Sequence, residues 1–504
     1  MLRYLNTVKY FSINQIFYLF FKNLIRYFSI VILKKKNFLN VKSKRIKFSF
    51  FILRYQNDFT KKINKINKKF GKKIWKKNFN KLFTYNIHYL DFIFDHSKNE
   101  SKKIIYSWID ENELSYKDIA WDPYPTSLRL INLIKWSIKY NYLSKKLLET
   151  LIIHTNFIMM NMEYHLRGNH LFINYKALIF SFSLLENNFH KKIKEKIYLN
   201  FNNELENQIL DDGGHFEQSP MYHNQFVYDL LDIIQLKCSR LNREKLLVKI
   251  DKMLLWSSIM NHNDQVPFFN DSCINVQPSY SDLYNYANKL NLDLKYIKKK
   301  RRKLYFFKDS GYIVYINKKY KVIFRSGGIA SDYIPAHQHA NITSLEISNK
   351  FNKIITNSGI STYENLEKRV IERGTMKQST LSVNKTNMLD VWKSFRVGKR
   401  PKVNSLITYN QDKTTQFISE HDGFSFDYFN NIIHKRKITC NENYIEIEDL
   451  LEGSGIVKVY NNLFLERFTK IKRNDNLIKT YSKSKTTIEL QNNTKYRIKN
   501  SIIN

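Results

Sequence analysis

Residues 295–316, KYIKKKRRKLYFFKDSGYIVYI, divide the chain in two. Before this basic run, from about residue 80, apolar side chains recur every three or four positions, as in SLRLINLIKWSIKY (127–140) and HNQFVYDLLDIIQLK (223–237). That spacing is the signature of helices burying one face. After it the period falls to two, in YFFKDSGYIVYI (305–316), YKVIFRS (320–326), NYIEIEDLL (443–451) and IVKVYNNLFLERF (456–468). Such short alternating runs, bounded by Gly, Asn and Asp, are strands of an antiparallel sheet or sandwich. The predicted architecture is multidomain, α then β. A basic helical extension (1–80) precedes a stack of antiparallel helix pairs (81–295), and an antiparallel β-sheet domain (300–504) follows.

The composition supports folded domains. With 504 residues, 43% of them hydrophobic and 15% aromatic, and only 13 Gly and 7 Pro, the chain can fill more than one core. The net charge of +38 raises nucleic acid or an anionic surface as partner, but it is unevenly placed. Residues 1–80 carry 21 Lys and Arg against one acid, Asp58, so the remaining 424 residues are only mildly basic. No nucleic-acid-binding module accompanies the charge, and no nucleic-acid partner is expected. The apolar runs near the N-terminus, FSINQIFYLFF (11–21) and YFSIVIL (27–33), are interrupted by Lys22 and Arg26, and no small-residue cleavage site follows. This reads as neither a cleavable signal nor a clean membrane span. Two arrangements are open for a basic helix here: packing on the body, which is favoured, and peripheral membrane contact. Three widely spaced cysteines, Cys238, Cys273 and Cys440, make neither a disulfide framework nor a metal pair.

Three stretches concentrate chemistry-bearing residues. In HLRGNHLFINYKAL (165–178), Asn169 and His170 follow a Gly at the head of an apolar helical run, where an N-cap and a core histidine would also explain them. In DDGGHFEQSPMYHNQFVYDLL (211–231), turn chemistry accounts for Asp211 to Gly214, while His215, Glu217, Tyr222 and His223 crowd a loop before a helix. In AHQHANITSLEI (336–347), His337 and His339 stand at what reads as the start of a strand, so their rings would share one face. By itself that pair suits a metal, an acid/base couple or plain structure.

Taken in order, WDPYPTSLRLINLIKW (121–136), GNHLFINYKAL (168–178), DGGHFEQSPMYH (212–223), AHQHANITSLEIS (336–348), NSGISTYE (357–364) and VWKSFRVGKR (391–400) resemble the heparinase II/III-like polysaccharide lyases. The likeness is greatest to the branch without a secretion signal that accompanies bacterial surface-polysaccharide gene clusters. It runs from about residue 80 to 400, and weakly before and after. The resemblance implies an incomplete (α/α) toroid followed by antiparallel β-sheets, with an active site between them. It implies β-elimination on an acidic, uronic-acid-containing polysaccharide. In that reaction the C5 proton leaves beside a neutralised carboxylate and the C4 oxygen is expelled. By position, Asn169 and His170 match the family's carboxylate-neutralising pair, and Tyr222 and His337 its acid and base in unspecified order. Arg129 and Arg373 are candidate binders of a carboxylate or sulfate, since a guanidinium meets such anions bidentately, and a structural role explains either equally well.

The pattern departs from the family at the metal. Members with a zinc-type ion hold it through the second His of the HxH, an Asp one hairpin later and a His further on. Here His339 is followed by Asn357 and Gln378 at those places, and Asn341 replaces a nearby acid. Neutral amides are poor partners for such an ion, so no bound metal and no cofactor are expected, with Asn357 and Gln378 hydrogen-bonding near His339 instead. A non-catalytic glycan-binding or assembly protein on the lyase fold is the alternative reading. The site of action is expected to be the cytoplasm or the cell envelope; the family often works in the periplasm.

Overall fold

The computed structural model describes residues 2–35, 42–43, 49–186, 191–236, 238, 240–298, 303–364, 367–409, 414–426, 431–454, 457–466, 470–474, 477–481 and 485–489. The polar segment 492–504 lies outside the described residues. The helical part comprises α1 (Leu2–Val8), α2 (Ile13–Lys35), α3 (Asp58–Phe70), α4 (Lys81–Tyr89), α5 (Lys98–Glu111), α6 (Pro123–Tyr140) and α7 (Lys145–Met160). It continues through α8 (Gly168–Leu184), α9 (Lys191–Gln208), α10 (Pro220–Ile234), α11 (Arg243–Met260), α12 (Tyr280–Lys289) and α13 (Lys295–Lys298). A two-residue pair, β1 (Lys42–Ser43) with β2 (Leu185–Glu186), ties the N-terminal region to the end of α8.

From α3 onward these helices form the incomplete toroid, around a hydrophobic cluster that runs from Ile30 of α2 to Ile297. Ile63, Ile74 and Trp75 belong to this cluster, so the basic N-terminal region contributes to the same core. α6 and α8 are buried almost all round and form its centre. Their two inward lysines cannot be left unpaired there. Lys135 meets Asp232 at 2.5 Å, and Lys176 meets Asp229 at 2.6 Å and Asp232 at 2.5 Å, which pins α6 and α8 to α10.

Strands begin at Leu304. A six-stranded antiparallel sheet has the order β16-β7-β6-β5-β4-β3, from β3 (Leu304–Phe307), β4 (Tyr312–Ile316), β5 (Tyr320–Arg325), β6 (Leu345–Asn349), β7 (Lys353–Thr356) and β16 (Phe464–Leu465). A four-stranded antiparallel sheet, β11 (Val403–Tyr409), β12 (Thr415–His421), β13 (Ile433–Cys440) and β14 (Ile445–Glu452), lies against one face of it. Ile313, Tyr315, Val322, Phe324, Leu345 and Ile347 of the first sheet share a core with Phe417, Ile438 and Cys440 of the second. The opposite face of the first sheet presents Tyr305, Phe307, Tyr312, Val314 and Ile323 to Trp256, Ile259, Met260 and Phe269 of the helical domain. Strand β4 therefore reads YIVYI because both of its faces are covered.

The β-domain also contains α14 (Glu367–Arg373) and the short strands β8 (Leu381–Val383), β9 (Val391–Trp392), β10 (Arg396–Val397) and β15 (Val459–Asn461).

Candidate active site

The first segment of the site is the start of α8. Arg167 and Gly168 both adopt left-handed backbone, with φ of 55° and 50°, and turn the chain sharply into the helix. A Cβ on Gly168 would stand 2.5 Å from Glu217 Oε1, so both conformation and space require glycine there. Asn169 and His170 follow within the first turn, half-buried, with the positive end of the helix dipole beneath them. Neither is the N-cap residue, which is Arg167. Glu163 Oε1 lies 3.1 Å from His170 Nδ1. The same carboxylate accepts from Asn174 Nδ2 at 3.2 Å, and the His170 ring packs 4.4 Å from that of Tyr124.

The second segment is the turn into α10. Ser219 caps the helix by accepting from the Tyr222 backbone N–H, and Pro220 occupies its first position. Tyr222 leaves this first turn toward His337, ring centroids 4.0 Å apart. Burial, reinforced by the Asp271 carboxylate, pushes the Tyr222 hydroxyl well above its ordinary value, so it is protonated near neutrality. Of the other residues crowded here, His215 and His223 are interior. His223 stacks on Trp256 at 4.2 Å and His215 packs on Phe226 at 4.7 Å.

The third segment corrects an expectation. His337 and His339 are not on a strand: β6 starts only at Leu345, and both histidines sit in the loop before it. Their rings are brought together by Asp271, whose Oδ2 is 2.7 Å from His337 Nδ1 and whose Oδ1 is 2.7 Å from His339 Nε2. Arg369 of α14 donates to the same Oδ2 at 2.6 Å. Burial opposes ionisation of Asp271, but Arg369 and the two histidines hold its carboxyl well below the usual range. An ionised Asp271 can only accept, so His337 Nδ1 carries a proton, and Nε2 is turned away from that carboxylate. That Nε2 is 3.8 Å from Glu217 Oε2. Glu217 also accepts from the backbone N–H of Asn169, and burial raises its carboxyl above the usual value. Glu217 thus links the head of α8 to His337, beside which Tyr222 packs.

The two arginines, for which anion binding and a structural role were equally open, both spend their donors inside the protein. Arg129 is fully buried inside the toroid, donating to His154 Nε2 at 2.8 Å, the His88 carbonyl at 3.0 Å and Thr126 Oγ1 at 3.2 Å, with its guanidinium 3.8 Å from the Trp108 ring. Arg373 is fully buried as well. Its Nε and Nη2 both donate to the Gln338 carbonyl, at 3.1 and 2.9 Å, and Nη1 donates to the Lys393 carbonyl at 3.0 Å. It holds the residue between the two histidines. In both, several fixed guanidinium donors meet interior acceptors, a structural use of arginine.

The residues at the family's metal position do not suit an ion. Asn357 Oδ1 accepts from the Ser379 N–H at 2.8 Å, and Gln378 Nε2 donates to the Glu372 carbonyl at 3.0 Å while standing 3.5 Å from His339 Nδ1. Burial lowers His339 to about 4, so it is neutral, yet its Nε2 is committed to Asp271. One imidazole with two engaged amides is a weak donor set. Among the described residues no group of three or more His, Cys, Asp or Glu is arranged to hold a metal.

Asp271, Glu163, Arg369 and Tyr363, which flanks Tyr222, were not singled out from sequence. Asp271 stands in FFNDS (268–272), where Asn-Asp reads as turn chemistry. Only contact with a loop more than sixty residues later reveals it.

Comparison with known proteins bears on this arrangement. The family described as Heparinase II/III N-terminus matches residues 58–297, and Heparinase II/III-like, C-terminal, matches residues 299–489. A comparison with curated proteins finds no match. Among solved structures, a heparinase III superposes with a TM-score of 0.64 at 20% identity, covering 81% of this chain and 70% of that one. The heparan sulfate lyase HepC from Pedobacter heparinus superposes with a TM-score of 0.55 at 15% identity, covering 91% and 78%. At these identities the likeness establishes the fold.

Proposed function

Because the chain belongs to the heparinase II/III-like family of polysaccharide lyases, we propose that it is itself a lyase, cleaving a uronic-acid-containing polysaccharide by β-elimination in the cleft between toroid and sheets. The observation that carries this reading is the Asp271–His337 pair stacked beside a protonated Tyr222.

In this proposal Asn169 and His170, at the positive end of α8, donate to the uronate carboxylate, so that charge developing on it during proton removal is stabilised. Glu163 keeps the His170 ring in place. His337 Nε2 takes the C5 proton. The electrons of that C–H bond form the C4–C5 double bond, the C4–O bond breaks, and the departing oxygen takes the proton of the Tyr222 hydroxyl. The imidazolium formed is stabilised by Asp271, and solvent returns a proton to Tyr222 as His337 releases its own. Tyr222 acts as the acid because burial and Asp271 keep its proton on; His337 acts as the base because Nδ1 is committed and Nε2 is open. No step requires a metal.

The test is a panel of uronate-containing polysaccharides, followed by ultraviolet absorbance of the unsaturated product and by mass spectrometry of the fragments. Wild-type protein should yield unsaturated ends from at least one acidic glycan, and Tyr222→Phe should not. Binding of glycan with no product, unaffected by Tyr222→Phe, would instead establish a non-catalytic binding protein.

A further inference from the structure

The helix α2 is amphipathic in the wrong sense for a protein surrounded by water. Three of its polar side chains, Gln15, Arg26 and Ser29, face the protein. Gln15 Nε2 donates to the Tyr333 carbonyl at 3.3 Å, Ser29 Oγ accepts from Asn161 at 2.8 Å, and Arg26 pairs with Asp122 at 2.5 Å while donating to the Asp118 carbonyl at 2.7 Å. The outer face carries Ile13, Phe17, Phe20, Leu24 and Phe28, each at least half exposed. At 100° per residue these fall within one stripe, which Tyr27 and the exposed Tyr116 of the toroid widen; their rings meet at 5.3 Å. At 1.5 Å per residue the stripe from Ile13 to Phe28 is about 22 Å long.

The helix is also tied down along its length. α1 is fixed to the β-domain by Arg3–Asp390 at 2.9 Å, by Trp392 Nε1 donating to Thr7 Oγ1 at 3.2 Å, and by Tyr4 packing on Trp392 at 4.7 Å. α2 then crosses to the toroid and packs on α7. By length and composition α2 could cross a membrane, but its inward hydrogen bonds hold it flat against both domains. A contiguous apolar stripe of this size on a folded surface marks something that covers it.

Charge indicates what. No acidic residue occurs before Asp58, and α2 ends in Lys34 and Lys35. We propose that the outer face of α2 is a docking surface for an anionic phospholipid membrane, entering the headgroup region side-on as an interfacial helix. Phe and Leu enter the acyl boundary, and the lysines stay at the phosphates. Because Gln15 holds Tyr333, four residues before His337, docking places the cleft close to the lipid surface.

The experiment is sedimentation of the full chain with vesicles of phosphatidylcholine alone or mixed with phosphatidylglycerol, alongside light scattering in solution. The full chain should pellet with the anionic vesicles, less so in high salt and weakly with neutral ones. The triple variant Phe17→Ser, Phe20→Ser, Leu24→Ser should lower binding about tenfold or more. Lys34→Glu with Lys35→Glu, which leaves the apolar face intact, should lower it selectively for anionic vesicles. The proposal is overturned by failure of the wild-type chain to pellet with anionic vesicles, by binding that the triple variant leaves unchanged, or by a dimer in solution that the triple variant separates into monomers. That last result would show a second copy to be the occupant.

Discussion

His337 Nδ1 lies 2.7 Å from Asp271 Oδ2, and this one distance sets the direction in which the imidazole can work. A carboxylate held ionised by Arg369 accepts a hydrogen bond from Nδ1 and leaves Nε2 as the nitrogen available for the proposed proton transfer. Asp271→Asn keeps the size but can turn its amide N–H toward His337 and favour the wrong tautomer. We expect kcat to fall about 10²-fold or more with a much smaller change in KM, since general acid–base catalysis of this kind contributes about that factor. Stability should fall too, because Arg369 is left buried without its countercharge, a loss of roughly 3 kcal/mol or more. Steady-state kinetics with a thermal melt separate the two effects. A variant with unchanged kcat would remove Asp271 from the mechanism.

Tyr222→Phe removes the proposed acid while keeping the ring that stacks on His337. The expected loss in kcat is about 10²- to 10⁴-fold, with the melting temperature close to that of the wild type. His337→Gln should lose activity to a similar extent. The double variant should lose little more than either single one, because both act in one proton transfer sequence. Additive losses in that cycle would show the two residues acting independently.

The division between helix and strand was legible in the sequence because apolar side chains recur at helical spacing in α6 and α10 and alternate in a strand with one covered face, such as β14. Asn169, His170, Tyr222 and His337 were legible through local motifs. The electrostatics that orient them were not. Asp271, Glu163 and Arg369 lie on three separate segments, and nothing local in FFNDS, NMEYH or EKRVIER marks an acid or a cation that will meet a histidine far along the chain. For Arg129 and Arg373 the residue type left an anion-binding and a structural role equally open, and their helical positions turn them inward, where Arg129 serves His154, Thr126 and one carbonyl and Arg373 serves backbone carbonyls. Periodicity alone does not distinguish an inward arginine from one that faces a cleft.

Arg129→Lys tests that structural role. A lysine cannot serve His154, the His88 carbonyl and Thr126 together, nor stack as a plane on Trp108. The variant should melt at lower temperature, by an amount corresponding to about 2 to 4 kcal/mol, while the folded fraction keeps the wild-type KM. A raised KM at unchanged stability would return Arg129 to the substrate site.

Metal chelation should leave both melting temperature and activity unchanged, because Asn357 and Gln378 are spent on Ser379 and on the Glu372 carbonyl. Elemental analysis of the purified chain should find no stoichiometric zinc. One tightly held ion per chain, with a melt lowered by chelator, would overturn this.

Acid should unfold the protein in two stages. Burial lowers His88 and His223 to about 3, and His262 and His339 to about 4, from an ordinary 6.5. A folded-state value below the unfolded one means that protonation favours unfolding. Each histidine's contribution is therefore complete above about pH 6.5 and is lost as pH falls toward 4 for His262 and His339 and toward 3 for His88 and His223, on the order of a few kcal/mol apiece. Glu346 goes the other way: burial disfavours its charge, but Lys353 and His262 hold it at about 2, below its ordinary 4.5. Its contribution is complete above about pH 4.5 and is lost only as pH falls toward 2. Melting temperature should decline first between about pH 6.5 and 4, and continue to decline below that. His262→Gln should flatten the upper limb, since the remaining amide can hold Ser348 without taking up a proton. A melting temperature that stays level down to about pH 4.5 would contradict neutral interior histidines, and with them the neutral His339 on which the reading of the Asp271 site depends.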